Sequence, residues 1–220
     1  MLSRASKILC IGRNYTAHIR ELKNAVPKKP FFFLKPPSAI VEPGKGKLLI
    51  PSDVQAHYEV ELGLVIGSKL PARQPIFHSK WTEAIAGYFV GIDVTARNLQ
   101  NEAKKAGLPW SFCKGYDTFL PVGPFIPKHQ VPDPHNVIVE LSQNDKVVQH
   151  ENTSLMLNRI PKILDSITET MTLQPGDLIL TGTPKGVGKV FAKDVLSARL
   201  LSAEGNEITP SAFSIQADVV

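Results

Sequence analysis

Ala56-His57-Tyr58-Glu59-Val60-Glu61-Leu62-Gly63-Leu64-Val65-Ile66-Gly67 is the stretch around which the rest of the chain arranges itself. Apolar and β-branched residues alternate with polar ones before a glycine stop, the pattern of a β-strand. Side chains on a strand alternate between faces, so Glu59 and Glu61 project from one face and Val60 and Leu62 from the other. Two carboxylates held side by side repel unless a cation sits between them or one takes up a proton. The plain alternative is a half-exposed strand whose wet face carries two glutamates, as antiparallel strands often do. Val90-Gly91-Ile92-Asp93-Val94-Thr95 tilts the balance, because there a lone acid interrupts an apolar run. Buried acids are rare unless paired or bound to metal. Three carboxylates with no His or Cys among them would make a hard, all-oxygen site, suited to Mg²⁺ or Mn²⁺ rather than Zn²⁺.

A chain of 220 residues accommodates one well-cored domain, with at most a small extension. Its hydrophobic fraction of 43% and charged fraction of 20% are ordinary for a globular protein. Cys10 and Cys113 are too few for a disulfide framework and point to a reducing interior. The net charge is +5, but the basic residues are scattered. Lys28-Lys29 and Lys104-Lys105 are only doublets, with no aromatic-interleaved stripe, which argues against nucleic acid and leaves anionic small molecules open. No apolar run approaches the roughly 18 residues that cross a membrane. Arg4, Lys7, Arg13 and Arg20 precede the first acid, Glu21, which has the character of a mitochondrial presequence remnant over residues 1–7. The alternative is a cytoplasmic protein, since Ile8-Leu9-Cys10-Ile11 already reads as the first strand.

Further along, Gly12-Arg13-Asn14-Tyr15 reads as a turn and Thr16 to Leu22 as a short helix with Thr16 as its cap. His18 and Glu21 stand three apart and share a face, as in a general base held by a carboxylate or a weak surface contact. Phe31-Phe32-Phe33-Leu34-Lys35 is an apolar strand ended by prolines, with Lys35 either a snorkelling surface lysine, the expected reading, or a cation aimed into a pocket. Pro43 to Pro51 is expected as a loop, and Leu70 to Lys80 as a mobile connection. Trp81 to Ala86 is expected as a helical turn before a strand over 87–94. Thr95 to Gly107 follows as a helix capped by Thr95 and stopped by Gly107. A loop is predicted over 108–117, and an edge or bend over 119–126. Val137 to Leu141 and Lys146 to His150 form a hairpin. Ser154 to Met171 has helical periodicity, with Pro161 as its kink or start. Leu178-Ile179-Leu180 feeds the glycine-rich segment up to Lys189. That segment fails as a phosphate loop, because Thr183 stands where the spacing requires Gly and Val190 where it requires Ser or Thr. It could still present N–H groups and Thr183 to a carboxylate. Two strands are predicted in the tail, over 195–201 and 207–220.

In this order the pieces resemble the fumarylacetoacetate hydrolase superfamily, in its short acylpyruvase/oxaloacetate decarboxylase branch. The stretches that carry the resemblance are Gly12-Arg13-Asn14-Tyr15, His18-Ile19-Arg20-Glu21, Phe33-Leu34-Lys35-Pro36, Glu59-Val60-Glu61-Leu62, Asp93-Val94-Thr95-Ala96-Arg97, Gly107-Leu108-Pro109-Trp110 and Gly176 to Pro184. The resemblance implies an α+β fold: a β-rich, mixed-sheet, barrel-like roll with short peripheral helices, one catalytic domain over 1–220, paired into a homodimer. It implies Mg²⁺ or Mn²⁺ ligands at Glu59, Glu61 and Asp93 and a lid helix over 13–24 bearing His18 and Glu21. It further implies substrate contacts at Arg13, Gln100, Lys114, Thr183 and Lys35. Tyr58 departs from relatives that often carry a further His there, and the segment after Val190 is less regular than the pattern.

The implied activity is Mg²⁺-dependent cleavage of the C3–C4 bond of 2,4-dioxo acids such as acetylpyruvate or fumarylpyruvate, or decarboxylation of oxaloacetate. A 2-oxo acid can chelate the metal, with Lys114 stabilising the enolate that forms. His18 is the expected base for water in hydrolysis, and Thr183 and Arg13 the expected holders of the substrate carboxylate. Two alternatives stand beside this: a keto–enol oxaloacetate tautomerase using the same site, and a non-catalytic ligand-binding member of the fold.

Overall fold

Period-two alternation is what sorts this chain into layers. In the computed structural model, which describes residues 2, 5–23, 25–74 and 80–220, a six-stranded sheet forms the centre. Its spatial order is Ile126–Pro127, Ile85–Ile92, Val60–Ile66, Leu178–Leu180, Ile8–Gly12 and Phe31–Lys35. Ile8–Gly12 and Leu178–Leu180 run parallel and the other neighbours antiparallel, so the sheet is mixed. Alternate residues of its strands face two apolar clusters. Leu9, Ile11, Leu62 and Leu64 join the large one; Ile8, Cys10, Val65, Leu178 and Leu180 join the small one.

A second sheet orders Lys146–Asn152, Val137–Gln143, Val195–Ser202, Phe213–Val219 and Leu48–Ile50. Smaller sheets join Gly188–Lys189, Ala56–Tyr58 and Thr95–Ala96, and pair Ile40–Val41 with Leu120–Pro121. The fold is therefore mixed α+β, and its sheets do not close into a barrel. Four short helices flank them among the described residues: α1 (Thr16–Glu21), α2 (Arg97–Ala106), α3 (Ser111–Lys114) and α4 (Ile160–Thr168). Helix α4 buries Ile160, Ile163, Leu164 and Ile167, one apolar stripe, against the large cluster. Pro161 sits in its first turn, as expected of its start. No described helix is long and apolar enough to cross a membrane.

Several sequence expectations need correction. The 56–67 stretch is two strands broken at Glu59, and Val60–Ile66 is buried on both faces, so neither acid lies on a wet face. Thr16 and Thr95 cap nothing: Tyr15 and Ala96 are the N-caps, without side-chain bonds, and Thr95 is occupied in a strand pair with His57. The lid-helix region narrows to 16–21, and Asn24 lies outside the described residues, as do Met1, Ser3 and Arg4 of the expected targeting remnant. The same holds for 75–79 in the connection expected to be mobile. Leu48–Ile50 is a strand inside the expected loop, and α3 occupies part of another. The tail's second strand starts only at Phe213. Gly107 does stop α2, in the left-handed region at φ 67°.

Candidate functional site

Strand register brings the three acids together. Val60 pairs with Ile92 and Glu61 with Gly91, so Glu59 and Asp93 fall at the ends of neighbouring antiparallel strands. The Asp93 N–H donates to the Glu59 carbonyl at 2.8 Å. Glu61, two residues along, shares the Glu59 face. Leu180 pairs with Gly63, which carries the chain after it over Glu61, and the Gly182 N–H donates to Glu61 Oε2 at 2.6 Å. Gly182 is at φ +100°, a conformation side-chain-bearing residues rarely adopt. All three acids are buried, and each offers a ligand oxygen within 4.8 Å of the others.

Cations surround this trio unequally. Lys114 Nζ bridges Glu59 Oε2 at 2.8 Å and Asp93 Oδ2 at 2.7 Å. Arg97 pairs with Glu59 Oε1, and its other terminal nitrogen donates to Gln100 Oε1 at 2.6 Å. Burial pushes Glu59 up, but Lys114 and Arg97 outweigh it and hold its pKa below the usual carboxylate range. Glu61 has no ion-pair partner among the described residues. Burial, followed by the neighbouring Asp93, drives its pKa well above the ordinary value. Burial alone would lower the Lys114 pKa, yet Asp93 and Glu59 raise it, so Lys114 is a fixed cation. Three buried carboxylates, one starved of positive charge and all of hard oxygen donors, fit a hard divalent cation.

Lys35 is a further correction. It is buried behind Asp93, 2.9 Å from Oδ1 in an ion pair outside hydrogen-bonding geometry. Its ammonium donates to the carbonyls of Val94 and Phe119, each at 3.0 Å, and to that of Lys114. It is neither at the surface nor among the residues lining the cleft.

The cleft over the trio is tight, with a cavity volume of about 30 Å³. Arg13, His18, Gln100, Lys114 and Thr183 line it, so these sequence candidates meet at one place. Helix α1 closes one side. His18 is buried there, and its Nδ1 lies 3.2 Å from Glu21 Oε2. Glu21 Oε1 accepts the Gly186 N–H at 3.0 Å, tying α1 to the segment that follows Thr183. Burial lowers the His18 pKa more than Glu59 and Glu21 raise it, so the imidazole is neutral near pH 7 and can accept a proton. Gln149 supports Thr183 from behind: it accepts the Val60 N–H at 2.9 Å and donates to Thr183 Oγ1 at 3.0 Å.

Sequence reasoning missed Arg97, Gln149 and Lys104, the last also lining the cleft. Arg97 sat within a matched motif. Gln149 comes from the distant hairpin, and no local pattern marks it.

The fumarylacetoacetate (FAA) hydrolase C-terminal family matches residues 7–215. The chain is 71% identical over 218 residues to "Oxaloacetate tautomerase oaa1, mitochondrial" of Schizosaccharomyces pombe, covering 99% of each chain. It is 45% identical over 193 residues to the mitochondrial oxaloacetate decarboxylase of Dictyostelium discoideum, covering 86% of each. The fold matches the crystal structure of fumarylpyruvate hydrolase from Pseudomonas aeruginosa, in complex with Mn²⁺ and pyruvate, at a TM-score of 0.87 and 31% identity. That match covers 98% of this chain and 91% of the other.

Proposed function

The chain belongs to the fumarylacetoacetate hydrolase family and is an enzyme; from that premise we propose that it is a divalent-metal-dependent oxaloacetate keto–enol tautomerase. The observation that carries the reading is one cleft holding a buried carboxylate trio, a fixed cation and a neutral imidazole. Glu59, Glu61 and Asp93 would hold Mg²⁺ or Mn²⁺, whose chemistry when bound is Lewis-acid polarisation of the substrate's 2-oxo group. Thr183 and Arg13 orient the adjacent carboxylate. With Nδ1 tied to Glu21, His18 Nε2 takes a proton from C3 of keto-oxaloacetate. The C–H electron pair becomes the C2–C3 double bond, and the C2 oxygen gains the negative charge. Lys114 stabilises that oxygen as the charge develops. The imidazolium then returns its proton to the oxygen, giving the enol with no carbon–carbon bond broken and no water consumed.

Tautomerisation stands ahead of cleavage because the relative matched over 99% of both chains carries that name. Cleavage is the second reading, favoured by the D. discoideum and P. aeruginosa names and by a His18–Glu21 dyad able to activate water. The proposal extends to one catalytic domain, a mitochondrial location as in the named relatives, and a homodimer. Exposed Leu34, Leu108 and Phe112 support the last, which light scattering tests.

Metal-stripped protein should be supplied with Mg²⁺ while enol-oxaloacetate decay and CO₂ release are followed together. Metal-dependent decay without CO₂, lost in His18→Ala, supports tautomerisation. Stoichiometric CO₂ would replace it with decarboxylation.

A further inference from the structure

Lys104 lines the cleft and has none of the roles above. Arg97, Gln100 and Lys104 are the first, fourth and eighth residues of α2, the spacing of a single helical stripe, and all three face the cleft. Arg97 closes on Glu59 and Gln100 holds Arg97, so the stripe begins at the trio. It ends at Lys104, about 10 Å further along the helix axis. Helical side chains lean toward the N-terminus, which turns this long side chain back toward the trio.

Among the described residues Lys104 makes no ion pair and no hydrogen bond, and its recorded contact is the Trp110 ring, 5.6 Å from Nζ. Burial, then Arg97 and Arg13, pull its pKa down to about 8, while Glu59 pushes the other way. Among the described residues Arg13 and Arg97 each also keep a buried Nε–H without a hydrogen-bond partner. Four cationic side chains line the cleft against three carboxylates, an excess that a divalent ion at the trio would enlarge. A concave, partly dry site with such an excess suits a ligand carrying more than one negative charge.

We propose that Lys104 is the specificity-determining residue that takes the distal carboxylate of a four-carbon dicarboxylate whose 2-oxo acid end lies at the trio. The assignment rests on the functional reading above, and it separates dicarboxylates from 2-oxo monocarboxylates that share the same head. Calorimetric titration of Mg²⁺-loaded protein with oxaloacetate and with pyruvate tests it in wild type, Lys104→Met and Lys104→Arg. Wild type should bind oxaloacetate more tightly, and Lys104→Met should lose about tenfold or more of that preference by weakening oxaloacetate alone. Lys104→Arg should retain it. An unchanged preference in Lys104→Met, or an equal loss for both ligands, overturns the assignment. The binding ratio is read apart from turnover, so a wild type that fails to tautomerise oxaloacetate refutes the functional reading and leaves the ratio to decide Lys104.

Discussion

Replacing Lys35 with Met removes one ammonium from behind Asp93 while nearly preserving side-chain volume. Lys35 is 1% exposed and sits against Asp93 and three backbone carbonyls, so water cannot take its place. Breaking a buried ion pair by removing one partner costs about 3–5 kcal/mol, because the remaining charge stays buried. Asp93 keeps Lys114, which limits the loss on its own side, but the Val94 and Phe119 carbonyls lose their Lys35 donor. A destabilisation of about 3–5 kcal/mol is therefore expected against a total of about 5–15 kcal/mol. Urea unfolding followed by Trp81 and Trp110 fluorescence reads it. With a slope of about 2–3 kcal/mol per molar, the midpoint should fall by about 1–2.5 M. Saturating Mg²⁺ should restore part of the loss if Asp93 helps to hold the ion. A loss below about 1 kcal/mol would refute the reasoning, since Lys35 would then be replaceable by relaxation or water.

Gln149→Leu leaves the buried Val60 N–H unpaired and frees Thr183, so a loss of about 1–3 kcal/mol with a raised KM is expected from melting and kinetics. Gly182→Ala would place a Cβ 2.7 Å from that of Asn14 at an unfavourable φ. It should cost about 1–3 kcal/mol and, by moving the Glu61 donor, weaken Mn²⁺ binding in a direct titration. Glu140 bonds to His150 and Arg199, which outweigh burial and lower its pKa. The stability it contributes is present above the unfolded carboxyl value of about 4.3 and lost as pH falls through the lower folded value. Both partners are about half exposed, so Glu140→Gln should remove only about 0.5–1 kcal/mol near neutral pH and flatten the acid limb of stability against pH.

The carboxylate trio was legible because strand periodicity and an acid inside an apolar run are local signals. The hairpin over 137–152 was legible for the same reason: Asn144 and Asp145 supply its positive-φ turn. Lys35 misled because a lysine at a strand end is ordinarily solvated, and only tertiary folding sets Asp93 and three carbonyls around it. Thr16 and Thr95 misled because a residue suited to capping can instead begin a helix or pair in a strand. Gln149 and Lys104 were invisible for opposite reasons. One joins the site from 89 residues beyond Val60, and the other read only as half of a basic doublet.

Proton exchange at C3 of oxaloacetate, followed by NMR in D₂O with metal-stripped and Mg²⁺-restored protein, tests the central claim most directly. Metal-dependent deuteration at C3, slowed strongly in His18→Ala, is expected, with no matching accumulation of pyruvate. Pyruvate appearing as fast as deuterium enters C3, or exchange indifferent to the metal, would contradict it.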